Sequence, residues 1–154
     1  GKVIDGTHGA GGEIGHITVE RHETLTCGCG RHGCLEQYAS AKGVVRLYLE
    51  ECDRHGVTPV HVEHATDTLS VFQALSAGDE CAGIAIDKMC DYLALAMSQI
   101  SCIVDPGMYL IGGGVAGGFS TFAPKDVRIE AAGLGNQAAM YGCAYEALRL
   151  RGEQ

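Results

Sequence analysis

Cations are scarce in this chain. Lysine and arginine together number 11 among 154 residues, against 19 aspartates and glutamates, for a formal net charge of −8. Phosphate backbones are gripped by clustered cations, so this balance argues against nucleic acid as a direct partner. Long apolar runs are also missing. Asp87, Lys88 and Asp91 interrupt the best candidate, and nothing approaches the roughly 20 residues of a membrane-spanning helix. No basic amphipathic segment opens the chain as a targeting signal. Neither a Gly-x-Gly-x-x-Gly fingerprint nor a Gly-Lys-Ser/Thr phosphate loop occurs, and there is no internal repeat or low-complexity tail. The first residue is Gly1 rather than Met, which reads as a cut end.

What the chain does have is cysteine, eight in all, within a composition that is 46% hydrophobic and excludes general disorder. Three of them stand in Cys27-Gly28-Cys29-Gly30-Arg31-His32-Gly33-Cys34. Thiols crowded this closely, with glycines between them, pair poorly as disulfides but fold readily around one soft metal ion. Zinc takes a tetrahedral set of thiolates and imidazoles, and a closed four-ligand site is structural rather than catalytic. Three cysteines leave one ligand to be found. His16, His22 and His32 are the candidates, and His16 is preferred because His32 lies inside the tight turn that must present Cys34. The competing reading is a redox-active or incidental thiol cluster. The other five cysteines (Cys52, Cys81, Cys90, Cys102 and Cys143) are scattered through apolar, mostly helical context, where cysteine behaves as a small buried hydrophobe. They lack the short, loop-rich frame of a secreted miniprotein, which points to the reducing cytosol.

The chain is long enough for one compact domain, or for half of a larger protein. Lys2 to Asp5 reads as the tail of a hairpin, and Gly6 to Gly12 as a turn suited to positive φ. Ile14, Ile17 and Val19 suggest a short strand into the cysteine loop. Cys34 to Ser40 begins a helix at the last cysteine, and Val44 to Leu49 marks a second that ends near Gly56. Thr66-Asp67-Thr68 is a helix N-cap, and Gly78-Asp79 closes one helix and starts the next. That next helix runs to Val104, with Ile84, Met89, Leu93, Met97 and Ile100 as its expected core stripe, and Asp105-Pro106-Gly107 breaks it. Met108 to Ile111 reads as a short buried strand, Val127 to Ala131 as another, with a helix from about Val115 and a terminal helix over Asn136 to Leu150. Helices dominate with short strands between them, so the expected class is α/β.

Two clusters could carry chemistry. Glu13 and His16 stand three apart just before the cysteines, and a carboxylate can accept two hydroxyl hydrogen bonds at once, which suits the vicinal diols of a sugar. A metal-bound imidazole keeps its second N–H free to donate, and the metal fixes the aim of the ring. Glu36, two residues past Cys34, would be held by the same loop. Further on, Leu110-Ile111-Gly112-Gly113-Gly114 is a strand followed by a glycine turn, an arrangement that can bring backbone N–H groups near a phosphate or ribose, although a tight turn with no ligand reads equally well.

Taken together, Gly12-Glu13-Ile14-Gly15-His16, ten intervening residues, and Cys27-Gly28-Cys29-Gly30-x-x-Gly33-Cys34-x-Glu36 resemble the signature of the ROK family of repressors, open reading frames and sugar kinases. Ile103-Val104-Asp105-Pro106 and Leu110 to Val115 are similar to its adenosine-binding segment, and Gly135-Asn136 through Gly142 to its closing helix. The resemblance runs from about Gly6 to Leu148, and within the family it looks most like the bacterial glucokinases. It implies that Glu13, His16 and Glu36 contact sugar hydroxyls, that His16, Cys27, Cys29 and Cys34 bind structural Zn2+, and that Gly112, Gly113 and Gly114 lie near ATP and its Mg2+. The implied fold is the C-terminal lobe of an actin-like (ribonuclease H-like) sugar kinase over residues 1–154, with a zinc loop over 16–34 and the N-terminal lobe absent. His8 where the family has asparagine, and Gly117-Gly118, are the departures, and neither removes a ligand position.

The family's Asp-x-Gly-Gly-Thr phosphate loop, its catalytic aspartate and its second glycine-rich phosphate loop do not occur in the chain, and Asp5 and Asp105 lack the context to replace that aspartate. The resemblance therefore implies a sugar-orienting half, inactive alone, of a cytoplasmic hexokinase acting on glucose or a related hexose, with ATP or polyphosphate as donor and a homodimer as the expected assembly. Two alternatives stand beside it: a sugar-responsive repressor with an upstream helix-turn-helix, and a non-catalytic zinc-stabilised sugar-binding or oligomerisation domain.

Overall fold

The computed structural model describes residues 6–112 and the backbone of 128–131; the expected hairpin tail, the helix after Gly114 and the terminal helix lie outside these residues. The chain divides into two units, Gly1–Ile103 and Val104–Gln154.

The first unit is a loop region followed by four helices: α1 over Glu36–Ala39, α2 over Ala41–His55, α3 over Thr68–Ser76 and α4 over Glu80–Val104, whose final residue falls past the division. Local chemistry sets their boundaries. The Ser40 hydroxyl accepts from the Gly43 N–H at 3.1 Å and caps α2, which ends at Gly56 in a left-handed turn with φ 64°. Asp67 accepts from the Ser70 N–H at 3.2 Å at the start of α3, as its place in Thr66-Asp67-Thr68 predicts. Asp79 does the same for α4 through the Ala82 N–H at 3.1 Å. Gly43 answers to a close approach: a Cβ there would stand 2.7 Å from the Gln37 carbonyl oxygen, so α2 can lie this near the end of α1 only with glycine at that point.

The core of this unit lies between the helices. Val44, Val45, Leu47, Tyr48 and Cys52 of α2 are buried, with Val71 and Ala74 of α3. On α4 the buried face is Cys81, Ala82, Ala85, Ile86, Met89, Cys90, Ala96 and Met97. Two of the five residues of the expected stripe are therefore buried. Met89 and Met97 are buried, while Ile84, Leu93 and Ile100 are only half-buried, because the small alanines and cysteines make the close contact. Tyr48 ties three segments together: its hydroxyl donates to Asp79 at 3.0 Å and accepts from the Val60 N–H at 2.9 Å.

Two further expectations are corrected. Ile14, Ile17 and Val19 do not form a strand. Ile14–His16 is a 3-10 turn, and only Thr18 joins a bridge, to Cys34. Ile14 and Ile17 stand three apart, the repeat of a 3-10 turn rather than the two of a strand. The second unit holds β1 (Met108–Ile111) and β2 (Arg128–Ala131), paired in parallel. β1 is not buried: Met108 is 40% and Leu110 62% exposed. Among the described residues no helix is long and apolar enough to cross a membrane.

Glu51 is the one buried charged residue among those described, with 2% of its surface exposed. Its Oε1 takes hydrogen bonds from Lys88 of α4 and from Arg54 at 2.5 Å, and Nε2 of His55 lies 3.8 Å from Oε2. Lys88, first, and then Arg54 hold this carboxyl below its ordinary 4.5, against the opposing effect of burial. A depressed carboxyl stabilises the fold above its unfolded pKa, and that contribution is lost as pH falls through the folded value. Since Lys88 itself keeps 36% of its side chain exposed, the expected cost of Lys88→Met at neutral pH is about 1–3 kcal/mol, that of a charge-assisted hydrogen bond. In urea titrations at several pH values, the gap between wild type and Lys88→Met should shrink steadily as pH falls below 4.5. A gap that stays constant would show that the ion pair is not its source.

Candidate metal centre and its surroundings

The segment from Thr18 to Cys34 folds back on itself as a nested loop. Antiparallel bridges at Thr18–Cys34 and Thr26–His32 close its base and its tip. At the tip, the Cys27 N–H donates to the Arg31 carbonyl at 2.7 Å and the Gly30 N–H to the Cys27 carbonyl at 2.8 Å. At the base, the Gly33 carbonyl accepts from Val19 at 2.8 Å and Glu20 at 3.2 Å. Gly33 has φ 67°, and a Cβ on it would fall 1.6 Å from the Glu20 carbonyl oxygen. No other residue fits there.

The loop and the 3-10 turn bring one ligand atom each from His16, Cys27, Cys29 and Cys34 to within 4.8 Å of one another. His16 Nδ1 lies 3.7 Å from Cys27 Sγ, and the Sγ atoms of Cys29 and Cys34 are 3.6 Å apart. Zinc bonds of about 2.3 Å to sulfur and 2.0–2.1 Å to nitrogen, arranged tetrahedrally, put neighbouring ligand atoms roughly 3.5–3.8 Å apart. The separations of 3.7 and 3.6 Å fall in that range, so the four side chains fit a tetrahedral ion of this size. A disulfide requires sulfurs about 2.05 Å apart, and these cysteines are free thiols. Of the three histidines that could complete the set, His16 is the one the fold selects. His22 is exposed with its backbone N–H on the Glu20 carboxylate, and His32 is exposed with its backbone in the tip bridge.

Free thiols this close titrate apart. Burial, with hydrogen bonds to the other thiols, pushes Cys34 up to about 12. The Arg31 backbone N–H and then its guanidinium bring exposed Cys29 down to about 6. Packing three thiolates together requires a cation between them, and a bound metal deprotonates its thiol ligands outright.

The two expected acidic contacts gather at the same histidine. Glu13 Oε2 is 3.9 Å from His16 Nε2, and Glu36 Oε2 is 3.8 Å from Nδ1 and 3.6 Å from Cys27 Sγ. Both carboxylates are open to solvent, 65% and 52% exposed. Gly112 follows β1 and is exposed, whereas Gly113 and Gly114 lie outside the described residues.

Residues 1–149 match the model of the ROK family. The chain belongs to that family. Among curated relatives, the glucokinase of Halalkalibacterium halodurans is 34% identical over 75% of this chain and 36% of its own length. The N-acetyl-D-glucosamine kinase of Shigella boydii is 32% identical over 75% of this chain and 38% of its own. The chain thus spans little more than a third of the curated relatives it matches. Among solved structures, a ROK family glucokinase from Streptomyces griseus, in complex with glucose and AMPPNP, superposes with a TM-score of 0.76 at 25% identity, covering 94% of this chain and 54% of that one. The α/β, helix-rich architecture is therefore that of the ROK sugar kinases.

Four residues around the centre carry no signal in the sequence reading. Tyr38 donates to Glu23 at 2.6 Å, and Tyr92 of α4 donates to Glu20 at 3.3 Å across 72 positions of chain. Tyr38 stands in the segment that follows the last cysteine, but its partners are fixed by tertiary packing alone.

The Gly33 contact generates a direct expectation. Gly33→Ala combines a left-handed φ with an overlap against backbone, so it should cost about 3 kcal/mol or more. Urea unfolding of the isolated chain reads this; a loss under 1 kcal/mol would mean that the loop is not closed through Glu20 and Gly33.

Proposed function

We propose that the chain is the sugar-orienting half of an ATP-dependent hexokinase that phosphorylates glucose at its 6-hydroxyl. The observation that carries the reading is the convergence of Glu13 and Glu36 on the one histidine whose other neighbour is a thiol of the metal set. In this reading His16, Cys27, Cys29 and Cys34 hold a structural zinc ion. The metal supplies rigidity and no step of the transfer, as a closed four-ligand site does. Glu13 and Glu36 accept sugar hydroxyls, and His16 donates from Nε2 with its ring aimed by the metal on Nδ1.

Gly112, Gly113 and Gly114 follow β1 as backbone donors for the nucleotide, with ATP carrying Mg2+. The sugar's 6-oxygen attacks the γ-phosphorus as the bond to the β-phosphate oxygen breaks. ADP leaves, and the hydroxyl proton passes to an aspartate supplied outside this chain. Positioning and charge neutralisation provide most of the acceleration in such transfers, and a misplacement of about 1 Å can cost roughly a hundredfold, so a rigid loop beneath the sugar has a clear use. Alone, the chain is expected to be inactive. A reducing, cytoplasmic setting belongs to the same reading, because the thiolate is the form that binds metal. Glucose is favoured by the glucokinase relatives; titrating N-acetylglucosamine beside it separates the two sugars.

The test is elemental analysis of the reduced chain, followed by sugar titration of the chain joined to its upstream half. One zinc per chain is expected. Glu36→Ala should keep the zinc and weaken sugar binding by about tenfold or more, as loss of charge-assisted hydrogen bonds implies. Cys29→Ser should lower stability and sugar affinity together. Zinc-free folded protein would sink the metal assignment, and loss of zinc from Glu36→Ala would overturn the division of roles between ligands and sugar contacts.

A further inference from the structure

Glu23 stands four residues before the ligand Cys27 and does two things with one carboxylate. Its Oε1 accepts the N–H groups of Thr24 at 2.8 Å and Leu25 at 2.9 Å, which folds the outgoing arm of the loop. Its Oε2 accepts the Tyr38 hydroxyl at 2.6 Å. Tyr38 is 3% exposed, and its ring stacks on Tyr92 with centroids 4.0 Å apart. Tyr92 in turn donates to Glu20 at 3.3 Å, the residue whose backbone lies against Gly33. Two stacked phenols therefore hold the arm at both of its acids, Glu20 and Glu23, from outside the ligand set. Their protonation suits the task. Burial, and then Glu23 itself, keeps Tyr38 a phenol, and the Leu25 N–H, followed by the Tyr38 hydroxyl, keeps Glu23 a carboxylate below its usual 4.5. α1 begins at Glu36 and carries Tyr38, so the bond to Glu23 joins the arm that presents Cys27 to the helix that presents Glu36.

We propose that the Tyr38–Glu23 hydrogen bond, backed by Tyr92 and its bond to Glu20, is a latch that positions the metal loop and keeps Cys27 and Glu36 in register. Tyr38 and Glu23 are positioning residues; neither touches metal or sugar. The inference rests on the metal assignment above and goes beyond it by naming what holds the ligands in place.

The experiment loads the reduced chain with cobalt(II) in place of zinc and measures its transfer to an excess of chelator, together with the visible absorption of the bound ion. Tyr38→Phe keeps the stacked ring and removes the hydroxyl. Glu23→Gln leaves one acceptor oxygen where the arm and Tyr38 need two. Each should speed metal release about two- to tenfold, the range set by one net hydrogen bond, and shift the cobalt bands. The double variant should be no worse than the poorer single one, since both break the same bond. Asp67→Ala, which removes the cap of α3 and so weakens the fold at a helix outside the latch, should lower the urea midpoint and leave the release rate unchanged. Should Tyr38→Phe fail to fold, half-buried Glu23 reads the same bond from the other side. Wild type that takes cobalt, with variants releasing it at the wild-type rate, overturns the latch. Wild type that takes no cobalt overturns the metal assignment, and the latch with it.

Discussion

The contact between the Glu20 carbonyl and Gly33 is the constraint on which the site depends. With the carbonyl where a Cβ would be, the two arms of the loop run closer than any side chain at that position would permit. Everything downstream follows from that closeness. The Thr18–Cys34 bridge sets Cys34 opposite the 3-10 turn, the turn delivers His16, and the tip bridge sets Cys27 and Cys29 facing back toward both. The helix that begins at Glu36 starts two residues after Cys34, so the carboxylate inherits its position from the loop rather than from the helical core.

That arrangement separates the molecule's two sources of stability. The helices carry an apolar core with Val44, Tyr48, Val71 and Met89 buried. The loop region, by contrast, has little apolar burial beyond Cys27, Cys34 and Leu35. Structural zinc in small sites contributes roughly 10–16 kcal/mol of apparent binding energy, while whole domains are stable by only about 5–15 kcal/mol. With the proposed ion in place, the loop would not need a core of its own. The tyrosine pair stands at that boundary: Tyr92 of α4 stacks on Tyr38 of α1 and donates a hydrogen bond to Glu20 of the loop.

The sequence made legible whatever depends on local chemistry. Asp67 announces its helix because a capping side chain acts on an N–H three residues away, and Asp105-Pro106-Gly107 ends α4 by its own backbone preferences. The spacing of Cys27, Cys29 and Cys34 was readable for the same reason, since eight residues of glycine-rich chain have few ways to turn. His16 could be preferred over His22 and His32 from the sequence, but the choice became geometric only when the 3-10 turn put Nδ1 beside Cys27. What stayed hidden required distant partners. Ile14 to Val19 looked like a strand because its apolar residues are close-set, yet Ile14 is 49% exposed and the segment turns at Ile14–His16 through backbone hydrogen bonds. The buried face of α4 takes in alanines and cysteines beside Ile86, Met89 and Met97, because helix packing rewards close approach as well as hydrophobicity. Tyr92 and Glu20 could not be paired by any local rule.

Charge gives the site its chemical bias. Zinc brings two positive charges and three thiolates bring three negative ones, so the proposed centre is anionic with a neutral imidazole. Glu13 and Glu36 add two more carboxylates at its edge, and Glu20 and Glu23 stand behind it. The guanidinium of Arg31 is already committed to Cys29. Like charges at short range repel by several kcal/mol when partly shielded from water. A phosphate would find this end of the molecule hostile, whereas a neutral polyol, which offers hydroxyl donors to carboxylate acceptors, would not. The same bias bears on turnover. In the proposed function a sugar would arrive neutral and become an anion on phosphorylation, so carboxylates that accept its hydroxyls would then oppose it and favour release of the product.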